Sequence, residues 1–444
     1  MDLRGEKFNV EALYKQFQGC KGYTTDTREI AGGEMFFALK GDNFDANEFA
    51  AHAIERGAKC CVVDNIHVYE NCIEDIAGKL IVVDDTLTAF RALAKYHRSL
   101  FDIPVIGITG TNGKTTTKEM INAVLSTKYR VTCTQGNRNN HIGVPMTLLE
   151  ITPQTEIAVV EMGANHPGEI AASVELAMPT CGLVTNVGQA HLEGFGNFEG
   201  VKKTKGELYD WLGERGGIAF YDADNADLDE MVRERSGLQL MPYGVGYSGI
   251  RVLKTSRVNP YLTMEIEVAD VVSRVTTRLI GSYNATNVAA ALAVGGYFEV
   301  DFEAAVAAIE AYIPSNSRSQ LIDTGRNIVI LDAYNANASS MNAALDNFAA
   351  TSFPNKALVL GDMLELGKFS KEAHAEILAK ARKITNEIYL VGNSEFKAVA
   401  ADGDLVFDTS LHLKEFFRKL QPEGKTILIK GSNATRLPLI MEVL

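Results

Sequence analysis

Several marks of whole protein classes are missing from this chain. Of its 444 residues six are cysteine, Cys20, Cys60, Cys61, Cys72, Cys133 and Cys181, and no two are spaced as C-x-x-C. Most lie in apolar runs, so the expectation is buried free thiols in a reducing compartment rather than a disulfide framework. No apolar stretch approaches the roughly 20 residues that cross a bilayer. The opening MDLRGEKFNV has no apolar signal core. The expectation is a cytoplasmic protein without membrane insertion. Positive charge is short, with 43 Lys and Arg against 56 Asp and Glu, a net −13. That balance argues against a nucleic-acid surface, and any anionic substrate must be met by local cations and backbone amides. Low-complexity tracts and solenoid-period repeats are also missing.

What is present is a 46% apolar composition, ample for real cores. The length predicts two or three domains. Residues 1–100 read as a small α/β domain, with short strands at EMFFALKG, KCCVVD and KLIVVDD and a helix in NEFAAHAIERGA. Residues 101–314 read as a mostly parallel sheet domain. PVIGITG is a continuous apolar run suited to a buried parallel strand, and TTKEMINAVLS has helical spacing. TEIAVVEMG and CGLVTNVG continue the sheet, whereas YLTMEIEVAD and VVSRVTTRLIG alternate like antiparallel strands. Two Ala-rich helices close the block, and Pro314 with SNSRSQ reads as a linker. Residues 315–444 repeat strand and helix through NIVILDAY, KALVLGDM, EIYLVG, DLVFD and TILIKG, which predicts a doubly wound, Rossmann-like sheet.

The stretch GITGTNGKTTTKEM places a Gly-rich turn between a strand and a helix, the context of a phosphate loop. Gly110 and Gly113 let backbone amides converge on phosphate oxygens in a loop that includes Thr111 and Asn112, helped by the positive helix end. Lys114 would reach the β and γ phosphates, and the hydroxyls of Thr115 and Thr116 follow it, Thr115 toward Mg²⁺. Ile108 stands where the generic motif wants glycine, so this is a shortened variant. A tight strand–helix turn with a threonine cap is the plain alternative. Glu161 closes a strand at the edge where α/β sheets bind ligands, as a Mg²⁺ ligand or an ordinary capping acid. His191 follows another strand, as a ligand or a hydrogen-bonded structural residue. Lys202, Lys203 and Lys205 fall in a helix, and a solvated basic face is the simplest reading.

TGTNGKTT, EMG, TNVGQAHLEGFG, KGELY, GSYNATNVAAALAV and DAYNANASSM occur in an order that resembles the Mur ligase family, ATP-dependent amide ligases of cell-wall precursor synthesis. GNRNNHIGVPMTLL, GDMLELG and TDTREIAGGEMFFALKGDNFDANEFAAHAIERGA are similar to the branch that adds a dipeptide. The resemblance covers nearly the whole chain. It implies that UDP-N-acetylmuramoyl-tripeptide and D-alanyl-D-alanine are joined through an acyl phosphate while ATP is split to ADP and phosphate; a monomer is expected. It implies two Mg²⁺ ions, held by Thr115, Glu161, His191 and a carbamylated lysine. KGELY matches that lysine to Lys205, with Lys202 as the fallback.

By the same resemblance Asn284 and Asn287 lie on the adenine side. Arg318 approaches the γ-phosphate as the C-terminal domain closes, and Asp332, Tyr334, Asn335 and Asn337 flank the nucleotide. Asp26, Thr27, Arg28 and Lys40 grip the uridine diphosphate, and Asn137, Asn139 and Asn140 face the muramoyl-peptide. Departures from the family pattern are Tyr283 for His, Ala338 for Pro, Ala46 and Asn47 for Gly-His, and Asn433 for Arg, with Arg436 a substitute. The diaminopimelate-adding branch carries D-N-P-R, which is absent. Folylpolyglutamate synthase, another Mur ligase, or a nucleotide switch with an idle phosphate loop are the competing readings.

Overall fold

The computed structural model describes every residue except 3, 6, 7, 42, 71–73, 257, 258, 269 and 316. The chain forms two compact units, one of Met1–Ile103, Arg138–Gln154 and Glu175–Met178, the other of Pro104–Asn137, Thr155–Val174 and Pro179–Leu444.

The first unit is built on a parallel sheet in the order Tyr23–Thr24, Met35–Phe37, Cys60–Val63, Leu80–Val82. Its last three strands are buried along their whole length, which is why they read as unbroken apolar runs. The helix Thr86–Ser99, capped by Asp85, buries Phe90 against Phe37, with ring centroids 4.8 Å apart. Residues 138–154 pack here rather than with the strands that flank them in sequence. The Tyr23 hydroxyl donates to Met146 O at 2.9 Å, and His97 Nε2 lies 2.8 Å from Ile151 O.

The second unit holds two six-stranded sheets. In the first, all parallel, the order is Gln239–Tyr243, Ile218–Asp222, Cys181–Val184, Val105–Thr109, Ile157–Glu161, Val131–Cys133. Val105–Thr109 sits where the strand order reverses, so its C-terminal end opens on the crevice used by ligands in α/β sheets. The helix Lys114–Leu125 leaves that end and buries Met120, Ile121, Val124 and Leu125. The Ala-rich helix Asn284–Tyr297 lies close against it: a Cβ on Gly295 would come within 2.6 Å of Val124. Thr263–Val268 and Val271–Thr276 pair antiparallel, as their alternation predicts.

In the other sheet the order is Gln320–Asp323, Ile328–Asp332, Thr426–Lys430, Lys356–Gly361, Ile388–Val391, Leu405–Phe407. Its edge strand Gln320–Asp323, antiparallel to its neighbour, begins inside the stretch that reads as a linker, where polar residues mask a strand too short to show alternation. Among the described residues no helix is long and apolar enough to cross a membrane. Cys60, Cys61, Cys133 and Cys181 are buried and Cys20 is half-buried. Cys72 lies outside the described residues.

Candidate active site

The phosphate loop is held open from behind. Gly110 has φ +140°, and a side chain there would run into Thr185. Asn186 O accepts the Thr111 N–H at 2.9 Å, and its side-chain oxygen accepts the Asn112 N–H at 3.0 Å. Thr185 Oγ1 and Asn186 Nδ2 both donate to Asn112 O, at 2.6 and 3.0 Å. Thr111 and Asn112, in the loop expected to offer amides to phosphate, thus spend theirs on TNVG. Asn186 was quoted in that motif without a role, and the loop's need for a partner on the neighbouring strand was the signal for it. Gly113, with φ +79°, starts the helix, and a Cβ there would meet Asn287 Oδ1 at 2.9 Å.

Lys114 folds back on its own loop, donating to Gly110 O at 2.6 Å and Thr111 O at 3.1 Å. Burial lowers its ammonium to about 8, with Glu161 pulling upward and Arg318 downward. Thr115 Oγ1 donates to Glu161 Oε1 at 3.1 Å, and both residues are buried. Thr116 follows, half-buried. Glu161 takes its place because its own N–H donates to Thr134 Oγ1 at 3.0 Å. The Thr134 segment is in turn held by Lys118, a fully buried lysine that sequence reading passed over. Lys118 donates to Thr134 O at 2.6 Å and Gly136 O at 3.1 Å and pairs with Glu119.

The three helical lysines part company. Lys203 is exposed, and Lys202 pairs with Asp227 and Glu230. Lys205 is 2% exposed, donates to Ala164 O at 3.3 Å, and stands 5.3 Å from the Phe195 ring. Burial and the nearby Lys114 together lower its amine to about 7, against the opposing pull of Glu169 and Glu207. The solvated basic face thus describes Lys203 alone: Lys202 is largely covered within its ion pairs and Lys205 is buried. His191, at φ +51°, contacts Glu365 through Nδ1. Burial holds its imidazole below the ordinary value, Glu365 opposes, and Lys114 and Lys205 press it down further. Lys114, Glu161, His191, Lys205 and Arg318 therefore share one field.

The C-terminal sheet contributes its own residues to this crevice. The Arg318 guanidinium lies 3.8 Å over the Tyr334 ring, and its Nε is buried with no hydrogen-bond partner among the described residues. Asp332 accepts from Lys430 Nζ at 2.8 Å, a lysine only 2% exposed that also reaches Asn335 O at 3.3 Å. Lys430 was overlooked beside Asn433 and Arg436, both exposed. Asn335 accepts the Ala336 N–H on its own side chain, and Asn337 caps the helix Ala338–Ala350 in a capping box. Asn337 Nδ2 also donates to Asn112 Oδ1 at 2.9 Å, joining the C-terminal sheet to the phosphate loop. Ala338 in place of proline leaves that box intact. Asn284 and Asn287 are buried and joined, Asn287 Nδ2 donating to Asn284 Oδ1 at 2.9 Å while Thr117 Oγ1 donates to Asn287 Oδ1 at 3.0 Å. They brace the helix behind the loop. Tyr283, standing for histidine, bonds Ser319 at 3.0 Å.

Two family models match, the Mur ligase middle domain over residues 108–295 and the Mur ligase glutamate ligase domain over residues 317–433. The UDP-N-acetylmuramoyl-tripeptide–D-alanyl-D-alanine ligase of Bacillus subtilis is 37% identical over 366 residues, 80% of this chain and 76% of its own. That of Escherichia coli is 36% identical over 455 residues, covering all of this chain and 95% of its own. The chain belongs to the Mur ligase family. The crystal structure of the MurF ligase of Thermotoga maritima with ADP superposes with a TM-score of 0.81 at 26% identity, covering 96% of this chain and 97% of that one.

In this Mur ligase the first unit carries all but one of the remaining candidates. Asp26 binds Arg28 in a fork, with Arg28 Nη2 at 2.6 Å, and Thr27 sits on the same turn. Asn140 caps the helix Gly143–Leu149 through the N–H groups of Ile142 and Gly143, and Asn139 is half-buried beside it. Asn137 is exposed and falls in the second unit. Lys40 Nζ lies 2.8 Å from Asp64 Oδ1.

Asn47, a departure from the family's Gly-His, explains how that carboxylate is kept. It is fully buried, donates to Asp64 Oδ1 at 2.8 Å, and accepts the Asp64 N–H at 3.0 Å. Thr86 adds two further donors. Burial pushes Asp64 up, but Lys40, Thr86 and Asn47 outweigh it and hold the carboxyl below its ordinary value. A depressed carboxylate contributes stability that is complete above its unfolded value and lost as pH falls through the folded one. Asn47→Ala removes one donor. It is expected to cost about 2 kcal/mol and to move acid unfolding of this unit to higher pH. Urea titrations at neutral and acid pH check this; a pH-independent loss would mean that Asp64 does not carry the effect.

Proposed function

We propose that this Mur ligase joins D-alanyl-D-alanine to UDP-N-acetylmuramoyl-tripeptide at the expense of ATP, in peptidoglycan precursor synthesis. The observation that carries the reading is Lys205: a lysine buried beside Lys114, with its amine lowered to about 7, inside a crevice that also holds Glu161 and His191. Nucleotide binding alone has no use for a second, uncompensated buried amine. Ligation has one. The neutral amine adds CO₂ and releases a proton, and the resulting carbamate is an anion where an ammonium would repel metal.

The donor set fits a hard dication. The Thr115 hydroxyl and the Glu161 carboxylate are already joined and dry, and hard cations take oxygen donors. Thr115 and Glu161 would hold one Mg²⁺, and His191 and carbamylated Lys205 a second. Bound there, Mg²⁺ neutralises charge on the transferring phosphoryl group. The tripeptide's terminal carboxylate is a poor electrophile, and taking the γ-phosphoryl group converts it to an acyl phosphate. The dipeptide amine then attacks that carbonyl, and phosphate leaves through a tetrahedral intermediate. Lys114, released from Gly110 and Thr111, would meet the phosphates, and Arg318 would stabilise charge on the one in flight. The contact of Asn337 with Asn112 closes the crevice over the acyl phosphate when the C-terminal sheet is docked. Asp26, Thr27, Arg28, Lys40, Asn137, Asn139 and Asn140 are proposed for the nucleotide-sugar and peptide. Asn284, Asn287, Asp332, Tyr334, Asn335 and Asn337 are proposed for the nucleotide side. A cytoplasmic monomer suits these diffusible substrates.

Phosphate release from ATP tests the reading. It is expected only with both UDP-N-acetylmuramoyl-tripeptide and D-alanyl-D-alanine, with one labelled carboxyl oxygen passing into each phosphate. Release with folate and glutamate instead would identify a folylpolyglutamate synthase, and none with any acceptor a nucleotide switch.

A further inference from the structure

Glu365 has no part in the chemistry above, yet it makes a contact that no packing need explains. It follows the strand Lys356–Gly361 of the C-terminal sheet and has φ +61°; His191 follows Cys181–Val184 of the other sheet and has φ +51°. Side-chain-bearing residues hold such backbone only where their surroundings impose it. Here the two meet. Glu365 Oε2 contacts His191 Nδ1, and the Glu193 N–H points at Glu365 O at 3.5 Å.

The Glu365 loop is itself braced. Buried His374 accepts the Met363 N–H at Nε2 over 2.9 Å, and its Nδ1 lies 2.8 Å from Ser370 O. The Glu365 side chain is 51% exposed and that of His191 25%, too wet for the pair to add much stability. An orienting role accounts for the strain better. A carboxylate accepting from one ring nitrogen fixes the proton there and leaves the lone pair of the other nitrogen free to bind metal.

Resting on the reading of His191 as a metal ligand, we infer that Glu365 is the positioning residue for that ligand. It holds the proton on Nδ1 and leaves Nε2 to bind metal, so His191 becomes competent only when the C-terminal sheet is docked. Domain docking and completion of the metal site are then one event, which couples phosphoryl transfer to exclusion of water.

The test uses the full chain labelled with [¹⁵N]histidine, free of metal and nucleotide, with the His191 signal assigned by its loss in His191→Ala. The wild type is expected to show the Nδ1–H tautomer. Glu365→Gln, whose amide oxygen still accepts, should keep it, and Glu365→Ala should lapse to a mixture. In turnover, Glu365→Ala should lose about 10- to 100-fold in apparent Mg²⁺ affinity or kcat with an unchanged melting temperature, and Glu365→Gln should retain most of both. An unchanged tautomer in Glu365→Ala, or wild-type Mg²⁺ dependence and kcat, overturns the inference while His191→Ala remains impaired. If His191→Ala itself keeps wild-type Mg²⁺ dependence, the metal reading falls and the inference with it.

Discussion

Lys205→Met is expected to abolish ligation and, in the same variant, to make the ligand-free protein more stable. The sign follows from the amine's depressed value. Between about 10.5 and 7 the unfolded chain holds a proton that folded Lys205 does not, so wild-type stability falls as pH falls across that window and levels off below it. At neutral pH the buried amine therefore costs on the order of 4 kcal/mol, which methionine of similar length removes. Urea unfolding in CO₂-free buffer should show the variant ahead of wild type at pH 7.5 and the two converging above pH 10.5. Turnover should drop about 10³-fold or more, because charge stabilisation at a transferring group is lost. Lys202→Met, at a lysine whose amine is already paired with Asp227 and Glu230, should turn over normally. The opposite pattern, Lys202 essential and Lys205 dispensable, would overturn the register that makes Lys205 the carbamylated residue.

Arg318→Ala is expected to lower kcat by about 10³-fold while ADP affinity changes little, since an arginine aimed at a transferring phosphoryl group acts chiefly on the transition state. The guanidinium is held ready: stacked at 3.8 Å on Tyr334, with its Nε buried and unpartnered among the described residues. Arg318→Lys should rescue poorly, because an ammonium neither stacks as a plane nor donates in a fork. Single-turnover phosphate release and ADP titration separate the two effects. Weak ADP binding with an intact kcat would make Arg318 a ground-state nucleotide contact.

Much of the catalytic half of the site was legible in the residues. The phosphate loop announces itself because glycine, lysine and threonine must occur at fixed spacing between a strand and a helix. Glu161 was visible as a candidate because the C-terminal end of a parallel strand faces the crevice where α/β sheets bind ligands. Lys118 and Lys430 were not legible as parts of the site. Their work is to satisfy backbone carbonyls or a partner's charge across elements far apart in sequence, and nothing local distinguishes them from exposed polar residues. Asn47 read as a loss at a family position and is instead the centre of a buried network around Asp64.

The sequence by itself determined the alternation of strand and helix, the phosphate loop and the family, because periodicity and motif spacing are local properties of the chain. Only the tertiary structure decided which of three neighbouring lysines is buried, where residues 138–154 pack, and that Glu365 meets His191. Burial and long-range contact depend on what the rest of the chain brings to a residue, and that is not written at the residue itself.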